Sequence, residues 1–559
     1  MPLKPVFEKA PLTVMNSLPL SAGFVRMDHA VLVRLYGLVR DTSAPVMLEG
    51  AFRLACIVTG RPLEEPVTDV IRQHLQQQRA DGSFALSFKD AVAVLRSAWA
   101  LYEYEARKPQ LESIARWCAF AAQNWDALMA DDDVWASSAD LMELLENFYR
   151  VTGKAAVLNL CERMATQTML WSGVLNTISA QRPTNKTVTR EELLSGLEKE
   201  MGDRDGYYTR FYRTKHAEML ADGARSAFAK GLYTGSATEL NAARNGWERL
   251  YRHHGAVCGG LTSDELREGT APNAAVSTAA LGAWAEALCV TAMSENSAWA
   301  WEALERMVFN AMPAVVEQDK VAPFQYVNTL GGEAPCLYVQ DDHAQRALTR
   351  LTRGYAAVAA SAVTVCENGA AVNLYLPGRY AVMIDEEPMT LTISAAEKGV
   401  RITVHCRKEV KAELRLRIPS WSRSTEIAVN DAETTAESRN NYLDIERQWH
   451  DGDVVSVVME PATQVLTGHH QGRYVLRGAV LMALPASEES WKKAFIALTA
   501  EGGKVFASLD EVETWKAKDQ LPTDIPVLPA VKGEPAQYRL QPYAKTQSRI
   551  ALFPGRPEA

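Results

Sequence analysis

The chain has no run of roughly 20 apolar residues, the length a bilayer-crossing helix needs, so no stretch of it reads as a membrane span. Its opening stretch, MPLKPVFEKAPLTVMNSLPL, contains no uninterrupted apolar segment of the signal-peptide type. There is no CxxC pair: Cys56, Cys118, Cys161, Cys258, Cys289, Cys336, Cys366 and Cys406 are scattered along 559 residues. That spacing excludes a disulfide framework and suits a reducing compartment, the cytoplasm by default. An excess of positive charge is also missing. With 59 basic against 68 acidic residues the net charge is −9, the wrong sign for a nucleic-acid partner. GxxxxGK[ST], HExxH and a strand-borne GxGxxG are absent too, which leaves nucleotide and zincin chemistries without a motif. The pairs His253-His254 and His469-His470 offer no metal site, because adjacent side chains project apart and no acidic or thiol partner stands at helical spacing.

What is present is an ordinary globular balance, 47% hydrophobic and 23% charged, in a chain long enough for about two to four domains. The first two-thirds is helix after helix. In DAVAVLRSAWALYEYEARK, Val92, Leu95, Trp99 and Tyr102 share one helical face. Gly153, just after Arg150, marks a helix end, and Pro313 ends another after SAWAWEALERMVFNAMP. Trp99, Trp299 and Trp301 stand at helical spacing and read as core. Paired helices over some 300 residues without a strict repeat predict a closed α/α toroid of the (α/α)6 kind rather than a solenoid.

Near Val363 the texture changes to strand alternation, as in PMTLTISAA, GVRITVHCR and AELRLRIPSW. NNYLDIERQWHDGDVVSVVM reads as two strands joined through Asp451-Gly452. The fold class is therefore multidomain α and β. We expect a toroid over 20–362, a β-sandwich over 363–485 and a second β unit over 486–559, the last including VFASLDEVETW and AQYRLQPYAK.

ELRLRIPSW (413–421), Asn430, IERQWHDGD (445–453) and VLRGAVLMALP (475–485) occur in an order that resembles the first β-sandwich of glycoside hydrolase family 127, the β-L-arabinofuranosidases. Asp431 and Ala479 stand where that family prefers Gly and Pro. DLMELLENFYRVTG, KHAEMLADGAR, CGGLTSDE, ALERMVFNAMPA and FQYVNTL resemble its helical segments in the same order. The likeness covers roughly residues 45–485.

Glycosidic cleavage needs an acid to protonate the leaving oxygen, together with a nucleophile or an activated water. Glu265, in the Gly-rich loop CGGLTSDEL, matches the family's acidic loop and is the candidate general acid/base; Asp264 beside it is equally a candidate for the working group or for an N-cap. The resemblance implies a cysteine nucleophile held as thiolate by zinc, with a Glu-x-Cys and a Cys-Cys among the ligands. The matching positions here are Ser277 and Ala279, then Cys336 and Leu337. Only one ligand survives, so neither a metal nor any other cofactor is expected. The second group is then Cys336, activated by a neighbour such as His343, or a carboxylate, Asp341 or Asp342. Apart from chemistry, Cys336 reads as a small buried hydrophobe and Asp341-Asp342 as the acidic start of the next helix. His216 matches the family's His-Ala-Asn segment, with Glu218 in place of the asparagine, and Arg225 keeps a basic position. Together with Tyr326 and His343 they form the candidate sugar-binding set.

The resemblance implies a partner that is a short oligosaccharide or glycoside with a terminal pentose or deoxy-sugar, without nucleic acid or membrane, and a homodimer is a candidate assembly. Two rivals stand beside it. One is a polysaccharide lyase or sugar epimerase on the same toroid, with Arg225 and Arg346 to neutralise a uronate. The other is a carbohydrate-binding protein whose catalytic site has decayed.

Overall fold

The computed structural model describes residues 17–129, 134–135, 138–178, 216–263, 269–295, 298–329, 342–384, 386–397, 399–434, 437–439, 441–469, 472–485, 540–546 and 548–553. Its helices are α1 (Ala30–Val39), α2 (Pro45–Val58), α3 (Pro66–Gln76), α4 (Phe88–Glu105), α5 (Lys108–Gln123), α6 (Ala139–Thr152) and α7 (Ala155–Gln167). After these come α8 (Trp171–Thr177), α9 (Ala217–Thr234), α10 (Ala242–His254), α11 (Thr278–Glu295), α12 (Ala298–Arg306) and α13 (His343–Ser361). Proline within the first two positions opens α2, α3 and α5, where its missing N–H forfeits no helical bond. Gly153, left-handed at φ 62°, closes α6 as its sequence context predicts.

Six of these helices close a ring. α2 packs on α4, α4 on α6, α6 on α9, α9 on α11, α11 on α13, and α13 returns to α2. The others cover it from outside: α1 and α3 against α2, α5 against α4, α7 against α6, α8 and α10 against α9, α12 against α11. Composition explains the division. Every residue of α9 from Leu220 to Leu232 is buried, which only a helix enclosed on all sides tolerates. Small residues also let backbones meet. A Cβ on Gly282 of α11 would stand 2.2 Å from the Arg350 carbonyl oxygen of α13, and one on Gly354 would stand 2.7 Å from that of Gly282. This contact sets the charged face of α13 beside α11.

The strands are β1 (Leu18–Pro19), β2 (Val25–Arg26), β3 (Val276–Ser277), β4 (Phe324–Gln325), β5 (Val363–Cys366), β6 (Gly369–Val372), β7 (Gly378–Ile384), β8 (Glu387–Ala396), β9 (Gly399–Cys406) and β10 (Val410–Arg417). They continue as β11 (Ser422–Val429), β12 (Ala432–Glu433), β13 (Glu437–Arg439), β14 (Tyr442–Trp449), β15 (Val454–Pro461), β16 (Thr463–Thr467), β17 (Arg473–Arg477), β18 (Val480–Pro485), β19 (Gln541–Pro542) and β20 (Arg549–Ile550). Two sheets, ordered β1-β5-β6-β10-β14-β13 and β12-β11-β15-β9-β8-β7-β2, carry the strands from β5 to β15. Alternation sets their faces: Met389, Leu391 and Ile393 of β8 are buried and the residues between them are not. Asn430 and Asp431 both adopt positive φ, 52° and 64°, in the turn from β11 to β12.

The structure departs from the expected boundaries in three places. Residues before α1 do not begin the helical part, because β1 pairs with β5 and β2 with β7. The Asp451-Gly452 turn does not close a hairpin. β14 lies in the first sheet, paired with β10, and β15 in the second, paired with β11 and β9. The crossing is fixed by Asp453, which accepts from the His450 amide at 2.9 Å and from Asn430 Nδ2 at 2.8 Å. Finally, β16, β17 and β18 join neither sheet. They pair with one another and with β19 and β20, because Val475 and Met482 share an apolar cluster with Leu540 and Phe553. The third β unit thus takes in 463–485, whereas VFASLDEVETW lies outside the described residues.

The β units are bonded to the helices through the residues that carry the resemblance. Arg417, fully buried, donates to Glu305 of α12 at 2.6 Å, and Trp421 Nε1 donates to the other oxygen of Glu305 at 2.9 Å. Asn310 donates to the Ala479 carbonyl at 2.9 Å and accepts from the Leu481 amide at 2.7 Å. The cysteines among the described residues are free thiols, and no described helix is long and apolar enough to cross a membrane.

Candidate active site

Charge fills the inside of the helical ring. Three helices bring acidic residues from the ring inward, Glu49 of α2, Asp140 and Glu143 of α6, and Glu286 of α11. Arg53 of α2, Arg96 of α4 and Arg350 and Arg353 of α13 meet them, while α9 supplies Glu218, Asp222 and Arg225, and Arg346 of α13 meets Glu218. Arg353 grips Asp140 with two nitrogens, at 2.7 and 2.9 Å, and reaches Glu286 at 2.9 Å. Arg96 grips Glu49 at 2.7 and 3.1 Å and Glu143 at 3.0 Å. Buried ions survive only when paired in this way.

The pairing sets the proton affinities. Burial favours a neutral Glu218, but the Arg350 and Arg346 guanidiniums overcome it and hold this carboxyl below its ordinary range. The same contest between burial and Arg353, Arg96 and Arg225 leaves Asp140 well below the usual carboxylate value. Asp222 goes the other way, raised by burial and by nearby Asp140 and Glu218 despite its bond to Arg350.

Arg225 belongs to this wall. It is buried and donates to Glu143 at 2.9 Å and to Asp140 at 2.8 Å, so carboxylates of the protein occupy the guanidinium expected to hold sugar. His216 stands higher, at the residue that caps α9. Its Nε2 lies 3.5 Å from Arg346 Nη2. A guanidinium only donates, so this nitrogen faces a donor. Arg346 also donates to Glu218 at 2.7 Å, and Arg350 donates to the other Glu218 oxygen at 2.7 Å. Glu218, which replaces the asparagine of the resembling family, thus orders the arginine that meets His216.

His343 is the first residue of α13 and is buried, its ring edge-on to Phe324 with centroids 5.3 Å apart. It precedes Arg346 by one helical turn, on the same face. β3 and β4 hold Phe324 in place, pairing Ser277 with Phe324 and Val276 with Gln325. The next residue, Tyr326, is partly buried, and its carbonyl accepts from the Tyr543 hydroxyl at 3.0 Å and from Arg549 at 3.1 Å. The ring end where α9, α11 and α13 begin therefore gathers His216, Arg346, His343 and the β3–β4 pair, with Tyr326 beside them.

Glu265, Cys336 and Asp341 lie outside the described residues. Their described flanks reach this same end. On one side of Glu265 Thr262 takes the His254 carbonyl at 2.8 Å, and on the other Gly269 donates to His254 Nδ1 at 2.9 Å. Asp342 is exposed and immediately precedes α13, where its carbonyl accepts from the Arg346 amide at 2.9 Å. That is the helix-start position its sequence context suggests.

The donor set does not fit the zinc of the resembling family. The Ser277 hydroxyl accepts from the Ala280 amide at 3.3 Å at the start of α11, and Ala279 brings only a buried methyl. Among the described residues no group of three or more His, Cys, Asp or Glu could hold a metal ion.

Sequence reasoning missed the ion network, although the signal was there. Glu218, Asp222 and Arg225 recur at i, i+4 and i+7, as do Arg346, Arg350 and Arg353. Such charged stripes on helices otherwise made of small and apolar residues mark a lined interior rather than a solvated face.

Residues 369–460, from β6 into β15, match the family model for the β-L-arabinofuranosidase GH127 middle domain. A solved glycoside hydrolase aligns at TM-score 0.70 and 15% identity over 97% of this chain and 98% of its own. A GH127 β-L-arabinofuranosidase from Geobacillus stearothermophilus aligns at 0.61 and 15% identity over 97% and 99%. A GH127 β-arabinofuranosidase aligns at 0.60 and 13% identity over 97% and 98%. No curated protein matches the sequence. At these identities the structural likeness is one of fold, and it runs from end to end. The chain is GH127-like in its middle domain and in its architecture.

Proposed function

From that middle domain and that fold, we propose that the chain is a glycoside hydrolase that releases a terminal pentose or deoxy-sugar, β-L-arabinofuranoside-like, from a short oligosaccharide or glycoside. The helical ring is then an (α/α)6 barrel with its cleft at the end where α9, α11 and α13 begin. One observation carries the reading: His216, Arg346 and His343 converge at that end, and the segments bearing Glu265, Cys336 and Asp341 depart from it.

In this reading Glu265 gives its proton to the leaving oxygen as the glycosidic C–O bond breaks. Cys336, or Asp341 or Asp342, attacks the anomeric carbon or orients the water that does. Where a covalent intermediate forms, Glu265 as carboxylate takes the proton of the incoming water. His216, with Nε2 facing Arg346, and Tyr326 border the same cleft. No step runs through a metal. The lyase alternative gains nothing, since Glu218 engages Arg346 and Asp140 and Glu143 engage Arg225.

The test is hydrolysis of a panel of aryl glycosides that includes β-L-arabinofuranoside and deoxy-sugars. Glu265→Gln should lower turnover by about 100- to 10,000-fold without changing the melting temperature. Full activity in Glu265→Gln refutes the assignment of the acid. An unsaturated product seen by ultraviolet absorbance refutes the hydrolase, and saccharide binding with no turnover of any glycoside leaves a decayed binding protein.

A further inference from the structure

On the outer wall of the ring, between α10 and α12, lies a cavity of about 390 Å³, within the usual size range of small-molecule sites. We propose that it is a second, non-catalytic saccharide site that takes a neutral sugar unit. Nothing in this inference depends on the proposed catalytic residues.

The lining has the composition a sugar requires. Buried Trp247 backs Tyr251, the two rings stacked at 5.2 Å with 22° between their planes, and Trp299, only partly buried, stands on the facing helix. A pyranose or furanose offers C–H faces to aromatic rings and hydroxyls at its edge. Two carboxylates, Glu248 and Glu302, and two guanidiniums, Arg252 and Arg306, line the same space; beside it Arg244 bonds Glu248 at 2.9 Å and lies 5.9 Å from the Trp299 ring centroid, and Arg306 is bonded to Tyr251 and Tyr474. Hydroxyls can donate to the first pair and accept from the second. A purely apolar ligand would desolvate these ionised groups without repayment. Glu248, Glu302 and Arg306 already have partners within the protein, so the lining suits a neutral, hydroxyl-rich ligand better than a charged one.

The cavity is also held in shape. Glu302 accepts from the Ser420 amide of the β domain at 3.1 Å. Gly259, at φ 108°, lies so close to α12 that a Cβ there would stand 2.8 Å from the Met307 nitrogen. Behind Trp247, Trp284 packs at 5.0 Å and donates from Nε1 to the Ala217 carbonyl at 3.1 Å, next to His216. A layer of packed side chains therefore separates this cavity from the inside of the ring, so its ligand is not the reacting sugar. Trp299 packs on the core, as its spacing suggests, but is only partly buried. Trp99 and Trp301 are buried, but Trp299 borders the cavity.

Titration of the full chain with maltotriose and xylotriose, followed by calorimetry and saturation-transfer NMR, tests the site. The wild type should bind at least one of them. Trp299→Ala and Ala303→Phe, the second of which fills the cavity without removing a contact, should each weaken binding about tenfold or more. His216→Ala, altered only at the ring end, should bind as the wild type does. Lack of binding by the wild type overturns the proposal, as does binding that survives Ala303→Phe or is lost in His216→Ala. Tighter binding of a galacturonate trimer than of either neutral sugar overturns the ligand class.

Discussion

Removing the Glu218 carboxylate tests whether the charged interior holds the ring together. In Glu218→Ala, Arg350 loses a 2.7 Å partner while its side chain remains only 15% exposed. Removing one member of a buried ion pair costs about 3–5 kcal/mol. Two features of the structure pull the figure to the lower end. Arg350 keeps its bond to Asp222, and Asp222, freed from the like charge of Glu218, ionises more readily. We therefore expect a loss of about 3 kcal/mol, with Glu218→Gln, which keeps an acceptor oxygen, losing less. Urea unfolding followed by tryptophan fluorescence measures it, with Glu248→Ala as control. Glu248 pairs with Arg244 at 2.9 Å, but both side chains are nearly half exposed, and such pairs contribute about 0–1 kcal/mol. The pH dependence has a definite sign. Glu218 is depressed in the folded state, so its contribution is complete above the unfolded value of about 4.3 and is lost as pH falls through the folded value. The gap between wild type and mutant should accordingly narrow in acid. A Glu218→Ala loss no larger than that of Glu248→Ala would refute the reasoning.

Burial raises the Glu146 carboxyl to about 8, with Glu143 adding to the rise and Arg150 opposing it. Between the unfolded value of about 4.3 and pH 8 only the unfolded chain ionises, so stability should fall by up to about 1.4 kcal/mol per pH unit; melting curves of wild type and Glu146→Gln at pH 5.5 and 8 should converge in acid and diverge at the higher pH if this holds. Glu305→Gln leaves fully buried Arg417 facing an amide, and should cost about 3–5 kcal/mol; a melting temperature equal to that of the wild type would show that this contact does not bind the domains together. Protein purified without chelator should contain no stoichiometric zinc, since Ser277, Ala279 and Leu337 stand at three matched ligand positions. Elemental analysis that finds about one zinc per chain, within reach of Cys336, would restore the metal mechanism.

Periodicity carried the coarse architecture. The change from helical spacing to alternation near Val363 coincides with the start of β5 at Val363, and the Gly153 stop is a helix end in the structure. What sequence reading could not reach were relations between distant segments. Nothing local to Leu18–Pro19 says that it pairs with β5, more than 300 residues away. Asp451-Gly452 has the composition of a hairpin turn. Whether the strand after it returns beside its neighbour or crosses to the other sheet is decided by Asn430 and Asp453, which bridge two turns. The carboxylate partners of Arg225 were out of reach for a similar reason: Asp140 and Glu143 lie some 80 residues earlier.

The segments that resemble the family most clearly are those whose side chains reach across the domain boundary. Arg417 and Trp421 of ELRLRIPSW hold the two oxygens of Glu305, and Asn310 of ALERMVFNAMPA bonds the backbone on both sides of Val480. Each contact requires one residue type at one position, because a buried guanidinium or amide with a missing partner is costly. At the ring end the demands differ. His216 keeps its place while its neighbour has become Glu218, and the change is compensated within the network by Arg346 and Arg350. The domain joint thus rests on single buried contacts that one substitution would orphan, whereas at the ring end Glu218 shares its charge between two arginines.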